Sequence, residues 1–210
     1  MNALIVLGGD RPSAALLRTL AARADFVLCA DSGLTAAQAA GVRPDAVIGD
    51  MDSVPCEALQ RYAQAGNVLR LPCEKDDTDG VAALDEAIRR GAAHVTLTGA
   101  LGGRLDHALA NCMLLVRAYN RGITASIEED TQRVELLRGR REIAGRPGQT
   151  FSLLSLGEAH IVSLTGAHYP LHDYAMSCDH PIGVSNLFEH SIVHVQVADG
   201  DVLFFQQKQM

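Results

Sequence analysis

Five segments of this sequence concentrate carboxylates and glycines in patterns suited to phosphate chemistry. They are Gly8-Gly9-Asp10, Asp31-Ser32-Gly33, Gly49-Asp50-Met51-Asp52-Ser53, Glu74-Lys75-Asp76-Asp77-Thr78-Asp79 and Gly99-Ala100-Leu101-Gly102-Gly103-Arg104-Leu105-Asp106-His107. Asp50 and Asp52 are the sharpest pair. Residues two apart in extended backbone point to the same side. Two carboxylates held that way repel unless a cation lies between them. Oxygen ligands without accompanying His or Cys suit Mg²⁺, which takes one or two carboxylates together with substrate phosphates. A lone Asp-x-Asp reads as solvated loop acids. The second acidic cluster, Asp76 to Asp79, and Asp31 at another strand end shift the reading toward a metal.

Gly99-x-x-Gly-Gly-Arg is a glycine-rich turn between a predicted strand and a predicted helix. Glycines permit close backbone approach, and a helix N-terminus favours anions. Arg104 adds a fork of donors matched to phosphate. Taken alone, the turn reads equally as a tight strand-to-helix connection with a solvated arginine. It lacks the Gly-Lys-[Ser/Thr] of a Walker A loop, and no Gly-x-Gly-x-x-Gly occurs. Asp106 and His107 open the following helix, where they either complement its dipole or face a nucleotide.

The elements that must position these residues alternate. Short apolar runs at Ala3–Leu7, Phe26–Ala30, Ala46–Ile48, Val68–Leu71, His94–Thr98 and Thr124–Ile127 predict strands. Helical spacing at Pro12–Ala22, Leu34–Ala40, Pro55–Ala65, Thr78–Arg90 and Leu105–Tyr119 predicts helices between them. This order implies parallel βαβ units, hence an α/β N-terminal domain with a doubly wound, mainly parallel sheet over residues 1–130. Ligands of such sheets bind beyond the carboxyl ends of the strands, where the five segments fall. After residue 130 helix signals stop. Short runs at Val134–Leu137, Thr150–Leu154, His160–Leu164, Gly183–Phe188, Ile192–Val197 and Val202–Phe205, parted by turn residues, predict an all-β C-terminal domain, a β-sandwich, over 131–210.

Composition narrows the function classes. The chain has 210 residues and a net charge of −7, and no basic stripe is evident. Nucleic acid and anionic membranes are therefore excluded as partners. Aromatic residues make up 4%, with no tryptophan, which leaves little material for base-stacking platforms. From Asp31 to Asp79 there are nine acidic and four basic residues, so this segment carries −5 of the −7. Five scattered cysteines without a Cys-x-x-Cys fit a reducing, cytoplasmic setting. The first residues are too short and uncharged for a signal peptide, and no apolar run approaches a membrane span.

In order and spacing, these segments resemble the thiamine pyrophosphokinase family. Asp31-Ser-Gly, Gly49-Asp-Met-Asp-Ser53, Glu74-Lys-Asp-Asp-Thr-Asp79 and Gly99-x-x-Gly-Gly-Arg-x-Asp-His107 match its N-domain motifs. Thr165-Gly166-x-x-Tyr169-Pro170-Leu171 and Gly183-Val-Ser-Asn186 match motifs of its C-terminal β domain. The resemblance implies transfer of the pyrophosphoryl group of ATP to the hydroxyl of thiamine, giving thiamine diphosphate and AMP. It also implies a homodimer with active sites between the α/β domain of one chain and the β domain of the other. Asp31, Asp50, Asp52 and Asp79 match the Mg²⁺ ligands, and Asp52, Lys75, Asp76 and Asp79 the catalytic positions. The general base is left open between Asp76 and Asp79. Asp31, Ser32, Gly102, Gly103, Arg104, Asp106 and His107 match the ATP-contacting set, and Ser185 and Asn186 the thiamine-side loop. Two departures stand out. Some relatives carry Gln where Lys75 stands, and some use a tryptophan against thiamine, which this chain lacks. The rival readings are another Mg²⁺-dependent phosphotransferase or phosphohydrolase on the same scaffold, and a non-catalytic nucleotide-sensing module.

Overall fold

The computed structural model describes residues 1–49, 67–70 and 78–208. The Asp50-x-Asp52 pair, the predicted helix over Pro55–Ala65, and Lys75 and Asp76 lie outside the described residues. The chain forms two compact units, Met1–Asp130 and Thr131–Met210. Among the described residues, no helix is long and apolar enough to cross a membrane.

The first unit holds strands β1 (Asn2–Val6), β2 (Phe26–Ala30), β3 (Ala46–Gly49), β4 (Val68–Arg70), β5 (His94–Thr98) and β6 (Thr124–Glu128). Its helices are α1 (Ala14–Ala21), α2 (Gly33–Ala39), α3 (Asp79–Arg89) and α4 (Leu105–Asn120). The strands lie in the order β6-β5-β1-β2-β3-β4, every neighbouring pair parallel. Strand order reverses at β1, which pairs β2 on one side and β5 on the other. On one face Leu4, Val6, Val27, Cys29 and Val47 pack with Leu17 of α1 and Leu34 and Ala37 of α2. Their alternating neighbours Ala3, Ile5, Leu28 and Ile48 are equally buried, so the strands are apolar on both sides, as central parallel strands must be.

Local signals set the helix starts. Ser13 caps α1, its hydroxyl accepting from Leu16 N at 3.2 Å. Asp130 holds that cap, accepting from the Ser13 N–H at 2.7 Å and from its hydroxyl at 2.5 Å. Thr78 caps α3 in the same way, with Val81 N 3.3 Å away and Asp79 in the first turn. Helix α2 starts at Gly33, against the backbone of β1. A Cβ there would sit 2.1 Å from the Val6 carbonyl oxygen, closer than any relaxation of a side chain could relieve.

The second unit is built on two long strands, β7 (Gln132–Ala144) and β12 (Ile192–Gln207), antiparallel along both halves. The first half of β12 also pairs β9 (Glu158–Thr165), which pairs β10 (Leu171–Ser177). Its second half pairs β8 (Thr150–Ser155), which pairs β11 (Asn186–Leu187). Phe151, Phe188 and Phe204 are fully buried in the core with Val193, Val195 and Val197. The Phe151 ring lies edge-on to Phe188, with centroids 4.9 Å apart, and stacks on Phe204 at 5.3 Å.

Three sequence expectations change here. Asp199-Gly200 reads as a turn between two strands, but β12 runs through it. A register shift between Val197 and Val202 absorbs the extra residues as a bulge, and Gly200 at φ +93° supplies the bend. Gly183–Phe188 narrows to the two residues of β11, because Ser185 stands at φ +61°, outside strand geometry. Strand β10 has no counterpart in the sequence reading. Its segment Leu171-His-Asp-Tyr-Ala-Met-Ser177 is mostly exposed and lacks an apolar alternation.

Gly33→Ala should lower the stability of the first unit by about 2 kcal/mol or more, since backbone rather than side chain must move. Urea unfolding followed by far-UV circular dichroism measures this. A loss below about 0.5 kcal/mol would mean that α2 can back away from β1 freely.

Candidate functional site

The carboxyl ends of β1, β2 and β5 and the first turns of α3 and α4 enclose a cleft of ≈ 430 Å³. It lies where the strand order reverses, the location expected for a ligand in an open parallel sheet. Asp31, Ser32, Asp79, Gly102, Gly103, Arg104 and His107 all line it, so seven of the residues singled out from sequence share one space. Asp10, Gly80 and Asn111 join them.

Asp31 ends β2 with φ +45°, a left-handed conformation that costs a non-glycine residue roughly 1 kcal/mol. Its N–H donates to the Ile48 carbonyl at 2.9 Å, so the main chain of β3 helps to hold this conformation. Gly49, the last described residue before Asp50, lies against it: a Cβ on Gly49 would be 3.3 Å from that of Asp31. Asp79 reaches the same cleft from the first turn of α3. Asp10, Asp31 and Asp79, from three separate segments, thus line one space with no cysteine among its lining residues, a donor set that fits Mg²⁺. Among the described residues, no three His, Cys, Asp or Glu side chains form a metal-ligand group. The remaining two predicted ligands, Asp50 and Asp52, lie outside the described residues.

The glycine-rich turn interlocks with the β1–α1 loop. Gly9 N donates to the Gly99 carbonyl at 2.7 Å and Asp10 N to the Leu101 carbonyl at 2.9 Å. Gly102, at φ +81°, touches Asp10 so closely that a Cβ would lie 2.0 Å from its carboxylate. Arg104 and Asp106 form a two-pronged ion pair on the exposed side of the α4 N-terminus, with Nη2–Oδ2 at 2.6 Å and Nε–Oδ1 at 3.1 Å. Hydrogen bonding to the Arg104 guanidinium holds the Asp106 carboxyl down to about 2. Asp106 also accepts from the His107 N–H at 3.0 Å. Asp106 itself is not among the residues that line the cleft. It acts here on Arg104, which does line it.

One residue at the site escapes the sequence reading. Glu129, buried just beyond β6, accepts from the N–H groups of Ala100 at 2.7 Å, Gly99 at 3.2 Å and Leu101 at 3.3 Å. Burial pushes its carboxyl above the ordinary carboxylate range, and the three N–H bonds oppose that shift. In sequence Glu129 is only an acid at a domain boundary. The one available signal was an acid directly after a buried strand.

In the second unit Asn186 is buried and its amide is engaged by the backbone. Oδ1 accepts from Tyr169 N at 3.0 Å and Leu187 N at 2.8 Å, and Nδ2 donates to the Tyr169 carbonyl at 2.7 Å. It therefore staples the two segments that carry the second-domain motifs. Ser185 beside it is exposed, its N–H donating to Ser152 Oγ at 3.1 Å.

Comparison with known proteins agrees with this arrangement. The family described as thiamin pyrophosphokinase, catalytic domain, matches residues 17–127, and its vitamin B1 binding domain matches residues 138–202. The thiamine pyrophosphokinase of Bacillus subtilis is 28% identical over 165 residues, 77% of each chain. The crystal structure of the Geobacillus thermodenitrificans thiamin pyrophosphokinase superposes with TM-score 0.83 at 27% identity, covering 100% of this chain and 98% of that one. The Bacillus subtilis structure gives TM-score 0.86 over the full length of both chains at 24% identity, a likeness of fold. With the catalytic-domain match alone taking in more than half of its residues, this chain belongs to the thiamin pyrophosphokinase family.

Proposed function

We propose a Mg²⁺-assisted, in-line displacement as the route by which this chain carries out the reaction of its family. The chain transfers the pyrophosphoryl group of ATP to the hydroxyl of thiamine, giving thiamine diphosphate and AMP. The observation that carries the mechanistic reading is the convergence of Asp31, Asp79 and the Gly102-Gly103-Arg104 turn on one cleft. Residues 1–130 are read as a doubly wound ATP- and Mg²⁺-binding catalytic domain, and residues 131–210 as a β-sandwich thiamine-binding domain.

Attack by an alcohol on the β-phosphorus with AMP leaving asks for positioning and charge neutralisation rather than a covalent intermediate. Arg104 and the glycine turn hold the triphosphate, and Arg104 exchanges its Asp106 partner for phosphate oxygens on binding. Asp31, Asp50, Asp52 and Asp79 would hold Mg²⁺. The metal, when bound, shields phosphate charge that the carboxylates alone would repel. Asp79 or Asp76 takes the proton of the attacking hydroxyl. Lys75 adjoins Asp76 in sequence, in the loop that matches the family's segment beside the transferred group. Ser185 and Asn186 serve the thiamine side, Asn186 by holding the loop and Ser185 by presenting an exposed hydroxyl.

A homodimer is supported by an exposed apolar stripe on α4. Leu105, Leu109 and Met113, four residues apart, share a helix face at 73%, 57% and 40% exposure. A cytoplasmic setting is supported by the free thiols of Cys29, Cys112 and Cys178. Burial pushes the Cys112 thiol to about 11 and that of Cys29 higher still, so neither is reactive.

Incubation with ATP, Mg²⁺ and thiamine should yield AMP and thiamine diphosphate in equal amounts by chromatography. ADP or free phosphate in their place would favour the rival phosphotransferase or phosphohydrolase, and ATP binding without turnover a nucleotide sensor. Asp52→Ala should reduce kcat by about a thousandfold with the melting temperature nearly unchanged. Near-normal kcat at saturating Mg²⁺ would remove Asp52 from the metal set. Arg104→Ala should raise the KM for ATP by about ten- to a hundredfold and leave the KM for thiamine alone. Equal changes in both would place Arg104 outside the triphosphate site.

A further inference from the structure

Every backbone polar group of Gly99, Ala100 and Leu101 is occupied within the protein. The three N–H groups donate to Glu129. The three carbonyls accept from Gly9 N, from Asn111 Nδ2 at 2.8 Å and from Asp10 N. The first half of the glycine-rich turn is therefore already an anion site, and its anion is the protein's own carboxylate. No N–H of these residues is left for a nucleotide phosphate. Phosphate contacts must come from the second half of the turn, Gly102, Gly103 and Arg104, which line the cleft. Gly99, Gly102 and Gly103 stand at φ +63°, +81° and +63°, so this backbone has little intrinsic stiffness. Something outside the turn must choose its conformation, and Glu129 grips it at three consecutive positions.

We propose that Glu129 is a positioning residue for the nucleotide: by binding the N–H groups of Gly99–Leu101 it fixes where Gly102, Gly103 and Arg104 stand in the cleft, without touching the ligand. This rests on reading the cleft as the ATP site. Glu129 is also not among the residues that line the cleft. Its charge is spent on three donors rather than set against the substrate. An amide cannot substitute. Gln at this position offers one acceptor oxygen and turns its NH₂ toward an N–H that needs an acceptor.

The test compares Glu129→Gln and Glu129→Asp with the wild-type protein in steady-state kinetics, alongside amide hydrogen exchange of the peptide spanning residues 99–103. In Glu129→Gln the KM for ATP should rise about tenfold, with the KM for thiamine within about twofold and kcat within about threefold of wild type. Glu129→Asp, which keeps both oxygens, should fall between the two. The 99–103 peptide should exchange faster in Glu129→Gln, while peptides of the second unit do not change. An unchanged KM for ATP in folded variants overturns the proposal, as does a fall in kcat with neither KM altered, the pattern of a merely structural residue. Failure of both variants to fold overturns it too. Failure of the underlying reading shows separately: Arg104→Ala, at the cleft itself, would then leave the KM for ATP unchanged.

Discussion

The site depends on one constraint of pairing, the parallel register of β1 between β2 and β5. Ala3 to Val6 pair Phe26 to Cys29 on one side, and Asn2 to Val6 pair His94 to Thr98 on the other. Parallel strands in register end together, so Gly8, Asp31 and Gly99 emerge along one edge of the sheet. Because strand order reverses at β1, the helices after these strands depart in different directions and leave a gap instead of a packed layer. Slipping β1 by one residue would turn its buried side chains over and move its glycine loop relative to both neighbours. Buried from Ala3 to Val6, β1 is thus a packing element and the ruler for the site.

Electrostatics then divides the site into two kinds of anion. Glu129 and Asp130 sit where backbone N–H groups satisfy them, one under the glycine turn and one at the start of α1. Those charges are internally spent. Asp31 and Asp79 instead face the cleft. A triphosphate could not approach that face without a counter-charge, and Arg104 is committed to Asp106 when no ligand is bound. The acidic excess between Asp31 and Asp79 disfavours a bare polyanion at this face, whereas a phosphate ligand accompanied by a cation meets no such repulsion.

How much of this is legible in sequence depends on which forces are local. The parallel strands and their helices are legible because apolar runs and helical spacing recur with clear stops, and α1, α3 and α4 begin within two residues of the predicted places. The convergence of Gly8-Gly9-Asp10, Asp31-Ser32, Asp79 and Gly102-Gly103-Arg104 on one cleft is legible because topology alone puts strand ends together. The mixed identity of Asp199-Gly200 is not, because a bulge and a turn use the same residues and only the partner strand decides between them. Strand β10 is hidden because it is recruited by pairing to β9 and buries little of its own. Glu129 is hidden for a related reason: its three partners lie 28 to 30 residues upstream.

Glu129 and Asn186 show a further regularity. Each is buried, and each uses its side chain on backbone groups of another segment beside a motif residue that is itself exposed or faces the cleft. Polar atoms can be buried only if hydrogen-bonded, so such residues are constrained by their partners in the fold before any ligand arrives. A motif match cannot tell a residue that touches substrate from one that holds its neighbour. Ser185 and Asn186 adjoin in one motif, yet the amide of Asn186 is engaged by Tyr169 and Leu187 while Ser185 is exposed at a left-handed position. That difference lies in burial and hydrogen-bond partners, and in both units the side chain that binds neighbouring backbone is the buried one.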